Sequence, residues 1–227
     1  MKVRQFLPSV LLATVLTAGP AFAQSASSPA AKTTSTTTTA AAAASSDQPN
    51  EAEMMAQMME LAKPNENHKL LADLAGNWTY TTKMWMDPDP NAKPMESKGT
   101  ATRKAIMGGR YFVAEAKSKM AMPGPDGKMQ DFDFAGTSFE GYDNVKKKFV
   151  STWVDNMGTG ILMSEGTYDP ASKTFTYAAE GEMVPGQKMQ IREIIKVVDK
   201  DHHIFEWYDT SRGTEAKTME ISYTRAK

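Results

Sequence analysis

The residues of this chain that could do chemistry are acids set among apolar and aromatic side chains. Asp155, Glu165, Glu193 and Glu206 each lie in a segment of alternating character. Two carboxylates held at a fixed distance can act as general acid and general base, as in hydrolytic or isomerase-type enzymes. No spacing in the sequence fixes the distance between any two of these acids. The enzyme interpretation therefore has no mechanism, and the catalytic residues stay unassigned.

A second interpretation makes the same segments part of a binding pocket. Arg192 or Tyr208 would orient a ligand there, and the indoles of Trp153 and Trp207 would supply contact area. A competing interpretation, which we favour, is that the acids face solvent or that one pairs internally with Arg192, because the faces of twisted strands are easily misassigned. The candidate ligand-binding residues are Trp153, Asp155, Glu165, Arg192, Glu193, Glu206, Trp207 and Tyr208.

Histidine and methionine are the remaining candidate metal ligands. His202 and His203 lie in a predicted turn beside Asp201, which we interpret as an exposed loop rather than a metal or haem site. The chain has 17 methionines, and thioethers select Cu(I), but methionine also fills irregular apolar cores. We favour the packing interpretation because no histidine or cysteine is fixed nearby to complete a site. No cofactor, neither haem nor copper, and no metal site is predicted.

The cysteine count and the charge balance exclude several classes of site. A chain without cysteine has no disulfide, zinc-thiolate site, thiol nucleophile or lipid anchor on cysteine. The 26 basic and 27 acidic residues give a formal net charge of -1, so no concentrated basic face is expected to bind nucleic acid. The expected partner is a small hydrophobic or amphipathic molecule, and the oligomeric state stays open.

Residues 1–23 have the pattern of an export signal. Lys2 and Arg4 precede the apolar run FLPSVLLATVLTAG, and Ala-Phe-Ala at 21–23 is a small-x-small cleavage site. The run is too short to span a membrane as a helix. We expect cleavage near Ala23, a mature protein without a membrane span, and a location in the periplasm or outside the cell. Loss of the two bases would change the formal net charge from -1 to -3.

Two further segments precede the alternating part of the chain. Residues 24–50 are rich in Ala, Ser and Thr with almost no large apolar side chain, which predicts disorder. Residues 51–64, EAEMMAQMMELAKP, contain strong helix formers and end at Pro64, which predicts a Met-rich amphipathic helix. We expect this helix to lie as a lid across an open end of the domain formed by residues 65–227.

From Trp78 onward apolar and polar residues alternate, which is the pattern typical of β-strands. No helix-length segment interrupts the strands, so consecutive antiparallel hairpins are expected. The prediction is an all-β fold: an antiparallel up-and-down β-barrel of about ten strands preceded by a short N-terminal helix, with a β-sandwich as the alternative. The candidate strands are 78–86, 97–107, 111–120, 129–141, 147–155, 161–168, 174–180, 188–198, 204–210 and 217–225.

The start of the first strand carries a recognisable signal. Gly76-Asn77-Trp78 resembles the Gly-x-Trp opening of lipocalins and the wider calycin group. In those families an arginine on the last strand packs over the tryptophan, and the resemblance gives this place to Arg225 in ISYTR. The implied role of Gly76, Trp78 and Arg225 is structural closure of the barrel, since a guanidinium over an indole adds cation–π attraction.

A second resemblance covers the chain from about His68 to Arg225. The segments GYDNVKKKFVSTWVDNMGTGILMSEGTYD, IREIIKVVDKDHHIFEWYDT and MEISYTR are similar to a bacterial family catalogued as domain of unknown function 1579. That family implies no activity. The sequence therefore predicts an exported barrel that binds a small apolar or amphipathic ligand. The alternatives are an enzyme that uses lumenal carboxylates and a packed structural or interaction barrel without a ligand.

Overall fold

The computed structural model describes residues 50–87, 89, 91–182 and 184–227, so the predictions for the signal peptide and for residues 24–49 lie outside it. Two short α-helices precede the strands, and a 3-10 turn at Met107–Gly109 joins the second and third strands. The elements are α1 (Glu51–Leu61), α2 (Glu66–Ala72), β1 (Gly76–Met84), β2 (Met95–Ile106), β3 (Tyr111–Pro123), β4 (Met129–Asp143), β5 (Lys148–Asp155), β6 (Leu162–Asp169), β7 (Thr174–Glu182), β8 (Lys188–Val197), β9 (His202–Asp209) and β10 (Ala216–Arg225).

The ten strands form one closed antiparallel barrel. Each strand pairs with its neighbours in sequence, and β1 pairs with β10 from Trp78↔Arg225 to Met84↔Met219. Closure leaves no free sheet edge, which is the reason such chains do not need a covering helix. The predicted up-and-down barrel is confirmed, and each of the ten predicted strands overlaps an observed one.

Alternation along the strands separates an inner from an outer face. In β1, Trp78, Tyr80 and Thr82 are buried, whereas Asn77 just before them and Thr79 between the first two are exposed. Since cross-strand register partners share a face, the buried set of β1 identifies the inward-facing residues on every other strand. The hollow of the barrel lined by these residues is called the lumen below.

Helix α2 closes one end of the barrel. Its Leu71 and the following Leu74 are 1% and 3% exposed and pack against inward-facing aromatic rings of the first half of β5 and β7. Phe149 and Phe175 meet edge to face with ring centroids 5.0 Å apart. This apolar floor buries its residues as completely as a domain core does.

Trp78 and Arg225 make the contact that the calycin resemblance implied. The Arg225 guanidinium carbon lies 4.2 Å from the Trp78 ring centroid. Arg225 donates from Nη1 to the Ala75 carbonyl at 2.6 Å and from Nη2 to the Asp73 carbonyl at 2.9 Å. A side chain on Gly76 would collide with Nη1, so glycine is required where the arginine crosses the chain. The last strand is thereby tied to the segment that leads into the first.

Helix α1 does not lie across a barrel end. None of its residues is buried, and it is attached through its C-terminal carbonyls: Asn144 Nδ2 donates to the Leu61 carbonyl at 2.7 Å and Arg110 Nε to the Ala62 carbonyl at 3.0 Å. The prediction that this helix acts as a lid is wrong for the described structure. The physical reason is that α2, with Leu71 and Leu74, already fills the end nearest to α1.

Candidate functional site

The lumen is packed at the floor and open toward the opposite end. Phe205 on β9 and Ile221 on β10 face inward at mid-strand, yet both keep an intermediate solvent exposure. An inward-facing side chain in the middle of a closed barrel can be reached by water only from inside. The upper part of the lumen is therefore accessible to solvent.

Methionines line one side of the open end, which is called the mouth below. Met84 on β1 is the register partner of both Met95 on β2 and Met219 on β10, so three thioethers lie side by side on adjacent strands. All three are half-buried, as is Met120 on β3. Methionine is flexible and polarizable, and it is common on surfaces that adapt to apolar ligands of different shape.

Three aromatic rings of the lumen rest against glycines of the barrel wall. Each covers a glycine on the neighbouring strand, where a Cβ atom would collide with the ring; the pairs are Tyr80 with Gly99, Trp153 with Gly136, and Tyr177 with Gly166. A ring that rests on a glycine occupies the volume of the missing side chain. These bulky residues therefore leave more of the lumen free than their size suggests.

Two identical arrangements of tryptophan and aspartate lie at the ends of β5 and β9 nearest the mouth. Trp153 Nε1 donates to Asp155 Oδ2 at 2.8 Å, and Trp207 Nε1 donates to Asp209 Oδ2 at 3.0 Å. Burial alone would raise the pKa of Asp209, but hydrogen bonds from Ser211, Thr218 and Trp207 outweigh it and the pKa lies below its ordinary value. Asp209 is thus ionised at neutral pH.

Glu193 is a buried acid without a hydrogen-bond donor among the described residues. Its side chain faces the lumen from the middle of β8, between the register partners Tyr177 and Trp207, and the residue is 8% exposed. Burial raises the pKa of Glu193 to about 7. A carboxylate with little access to water and no donor is costly when it is charged, so the proton is held more tightly than usual.

Arg103 and Glu140 form an ion pair inside the barrel, close to the floor. Their side chains are 8% and 11% exposed, and Glu140 also accepts a hydrogen bond from Ser138 Oγ at 2.8 Å. Burial lowers the pKa of Arg103 to about 10, so the guanidinium stays charged at neutral pH. Sequence analysis did not select either residue. Only the alternation of small side chains around Arg103, in GTATRKA, hints that it faces inward.

His203 also lies inside the barrel, although a turn was predicted for it. It is the second residue of β9, its ring stacks on Tyr223 with centroids 4.3 Å apart, and it meets Trp78 edge to face at 4.4 Å. Burial, together with the positive charges of Arg103 and Arg225, lowers the pKa of His203 to about 3. The prediction of an exposed loop for this residue is wrong, because the preceding turn ends earlier than its sequence suggests.

The eight candidate ligand-binding residues divide evenly between the two faces of the barrel. Trp153, Asp155, Glu193 and Trp207 face the lumen, whereas Glu165, Arg192, Glu206 and Tyr208 lie on the outer face. The four acids thus do not share one site.

Arg192 is occupied on the outer face. It donates to Glu215 from Nε at 2.9 Å and from Nη2 at 2.8 Å, and it lies 4.0 Å above the ring of Tyr208. The internal pairing with a lumenal acid that was considered for Arg192 is not formed. Glu165 pairs with Lys146 at 2.7 Å on the same surface.

A shallow groove of about 800 Å³ runs over the outside of β4 to β7. Its rim carries two exposed apolar side chains, Phe139 at 52% and Met163 at 71% exposure. Lys146 and Glu165 lie in the same groove. This surface is open to solvent and combines apolar with charged side chains.

Neither a metal cluster nor a membrane helix occurs in the described residues. Among them, no group of three or more His, Cys, Asp or Glu side chains is placed to hold a metal ion. No helix within this part of the chain has the length and apolar character needed to cross a membrane.

Comparisons with known proteins match the chain to one family. A family model described as "Protein of unknown function (DUF1579)" matches residues 63–225. No curated protein matches the chain. A solved structure of a protein of unknown function from the DUF3598 family of Nostoc punctiforme is similar over 72% of this chain and 100% of that chain. The sequence identity is 6% and the TM-score is 0.24.

Proposed function

The chain belongs to the DUF1579 family, whose description assigns no activity, so we propose a function from the lumen itself: the protein binds a small apolar or amphipathic molecule inside the barrel. The observation that carries this proposal is the division of the lumen into a packed floor and an accessible upper part. A barrel built only for stability would have no reason to leave its mid-strand aromatic and aliphatic side chains half-exposed.

The chemistry of the upper lumen suits such a ligand. Trp153 and Trp207 offer two large apolar surfaces, each held in place by a hydrogen bond to an aspartate two residues further on. The methionines at the mouth can adapt to the ligand as it enters. Binding pockets of this kind combine mostly apolar walls with a few polar groups that fix orientation.

Native mass spectrometry tests the proposal. The protein is purified without detergent from cells that express the full chain, and its mass is recorded before and after unfolding. We expect a discrete added mass that is lost on unfolding, or one that appears after incubation with mixed lipids. A bare polypeptide mass under every one of these conditions would refute the proposal.

A matched pair of glycine substitutions tests whether the ligand lies in the lumen. Gly136→Ala forces the Trp153 ring away from the wall and into the lumen, so ligand occupancy should fall. Gly158→Ala is the control, since a Cβ at that position meets nothing within 4 Å. Equal occupancy in both variants would place the ligand outside the lumen.

Export is the second part of the proposal. The basic start, the apolar run and the small residues of 1–23 support cleavage near Ala23 and a location in the periplasm or the medium. N-terminal sequencing of the protein from the periplasmic fraction and from the medium checks it. A mature protein that begins near Gln24 is the expected result, and an intact Met1 on cytosolic protein would contradict it.

The outer groove supports one alternative, an interaction barrel without a ligand. Phe139 and Met163 together expose apolar surface that a protein partner or a second copy would cover. Replacement of Met163 by Glu distinguishes the two functions. It would reduce an association detected by analytical ultracentrifugation, whereas ligand occupancy of the lumen would stay unchanged.

A further inference from the structure

The charged groups that face the lumen are mostly acidic, and we propose that its ligand is an amphipathic amine. The protonated nitrogen would lie beside Glu193, and the apolar part would extend along Trp153 and Trp207 toward the methionines of the mouth. This inference rests on the proposed binding function and specifies the class of ligand.

The charge balance inside the barrel favours a cation. Among the described inward-facing residues, the acids above the floor are Asp155, Glu193 and Asp209. Arg103 is the lumenal base, and it is neutralised by Glu140. Arg225 covers Trp78 at the closed end and donates to backbone carbonyls there. An anionic ligand would therefore meet uncompensated negative charge in the upper lumen.

Glu193 supplies the specific contact. It is almost completely buried and accepts no hydrogen bond from any described residue, although a buried carboxylate without a donor is unfavourable. An ammonium group of a ligand would donate to it and would balance its charge. A ligand carboxylate in the same place would add a second negative charge and would have no donor to meet.

The neighbours of Glu193 reinforce this selectivity. Tyr177 and Trp207 are its register partners on the two adjacent strands, so both rings lie within reach of a group bound at the carboxylate. Aromatic faces attract cations, tryptophan most strongly. Asp209, ionised and two residues beyond Trp207 on the same face of β9, adds to the negative potential at that point.

Three ligands of equal chain length test the inference: dodecylamine, dodecanol and dodecanoate, each below its micellar concentration at pH 8. They displace a neutral fluorescent probe, N-phenyl-1-naphthylamine, from the full-length protein. We expect dodecylamine to bind about tenfold more tightly than dodecanol, and dodecanoate to bind least. If dodecanoate binds as tightly as dodecylamine, the inference is overturned.

The outcomes separate this inference from the proposed function. Saturable binding of the neutral probe without any preference for the amine would leave the binding function intact and would refute the ligand class. Absence of saturable binding by the probe and by all three ligands would refute both.

A variant pair assigns the preference to Glu193. Glu193→Gln keeps the shape of the side chain and removes its charge, so the preference for dodecylamine over dodecanol should be lost while dodecanol still binds. Glu165→Gln on the outer face of β6 is the matched control and should keep the preference. A full amine preference in folded Glu193→Gln would show that this carboxylate does not select the ligand.

Discussion

Arg103 on β2 and Glu140 on β4 meet inside the barrel across the intervening strand β3. On β3 the inward-facing register partners are Ala114 for Arg103 and Phe112 for Glu140, and the small side chain of Ala114 leaves room for the pair. Charges so far from water are tolerated only because each compensates the other. The pair links three strands near the floor.

Removal of one partner of this pair should destabilise the barrel strongly. Arg103→Met leaves Glu140 buried without its counterion, so we expect a loss of about 3 to 5 kcal/mol in the free energy of unfolding. The double variant Arg103→Met/Glu140→Leu should lose less than either single variant. Urea unfolding followed by tryptophan fluorescence measures both, and additive losses would show that the two side chains act independently.

Truncation of Trp78, which closes one end of the barrel, should destabilise the barrel as strongly as the loss of one partner of the Arg103–Glu140 pair. Trp78 is 3% exposed and donates from Nε1 to the Leu74 carbonyl at 3.1 Å. We expect Trp78→Ala to lower the free energy of unfolding by about 3 to 5 kcal/mol through loss of apolar contacts and of the Arg225 stacking. Val154→Ala, on the more exposed outer face, is the control and should change the free energy little. Equal losses in the two variants would contradict the structure.

Glu193 should make the ligand-free protein less stable as the pH rises. Its pKa is raised from 4.5 to about 7 in the folded state, so the folded protein holds the proton more tightly than the unfolded chain does. The stabilisation from the protonated acid is complete below pH 4.5 and is lost as the pH passes 7.

We therefore expect Glu193→Gln to be more stable than the parent protein at pH 8, by an amount on the order of 2 to 3 kcal/mol. At pH 4.5 the two proteins should differ little. Urea unfolding at both pH values measures the difference, and a difference independent of pH would refute the assignment.

His203 should make the folded protein less stable as the pH falls. Its pKa is lowered from 6.5 to about 3, so the folded state disfavours the protonated ring. The stability that comes from the neutral ring is present above pH 6.5 and is lost as the pH falls toward 3. Thermal unfolding of His203→Phe should depend less on pH between 6.5 and 4 than that of the parent protein. An equal pH dependence of the two proteins would contradict this assignment.

The methionines of α1 should contribute nothing to the stability of the barrel. Met54, Met55, Met58 and Met59 are 49% to 66% exposed. Replacement of all four by Gln should leave the melting temperature of the barrel unchanged, because surface changes away from packed contacts are usually worth less than about 0.5 kcal/mol each. A clear fall in melting temperature would mean that this helix packs against the barrel in solution.

The fold could be predicted from the sequence because strands and turns are marked by patterns within short segments of the chain. Alternation of apolar residues and short turn segments are sufficient to define strands, and Gly76-Asn77-Trp78 marks the first one. For β8 the sequence separated Met189, Ile191 and Glu193 from Gln190 and Arg192, but it did not show which of the two sets faces inward.

The lumenal charges could not be predicted because they depend on register. Both faces of β9 carry an acid and an aromatic residue, so Glu206 with Tyr208 and Trp207 with Asp209 are equivalent until the strand is paired. Arg103 and Glu140 are distant in sequence and meet only across β3. No pattern within one strand contains that information.

The rings that rest on wall glycines also constrain how this barrel can change over generations. Gly136 can acquire a side chain only in a background where the residue at Trp153 has already become smaller, because the two occupy the same volume. Gly99 and Gly166 are constrained further, because a Cβ there would also meet the backbone carbonyls of Lys117 and Thr176. A side chain at Gly136 thus requires a change at Trp153, whereas Gly99 and Gly166 are fixed by the main chain as well as by their rings.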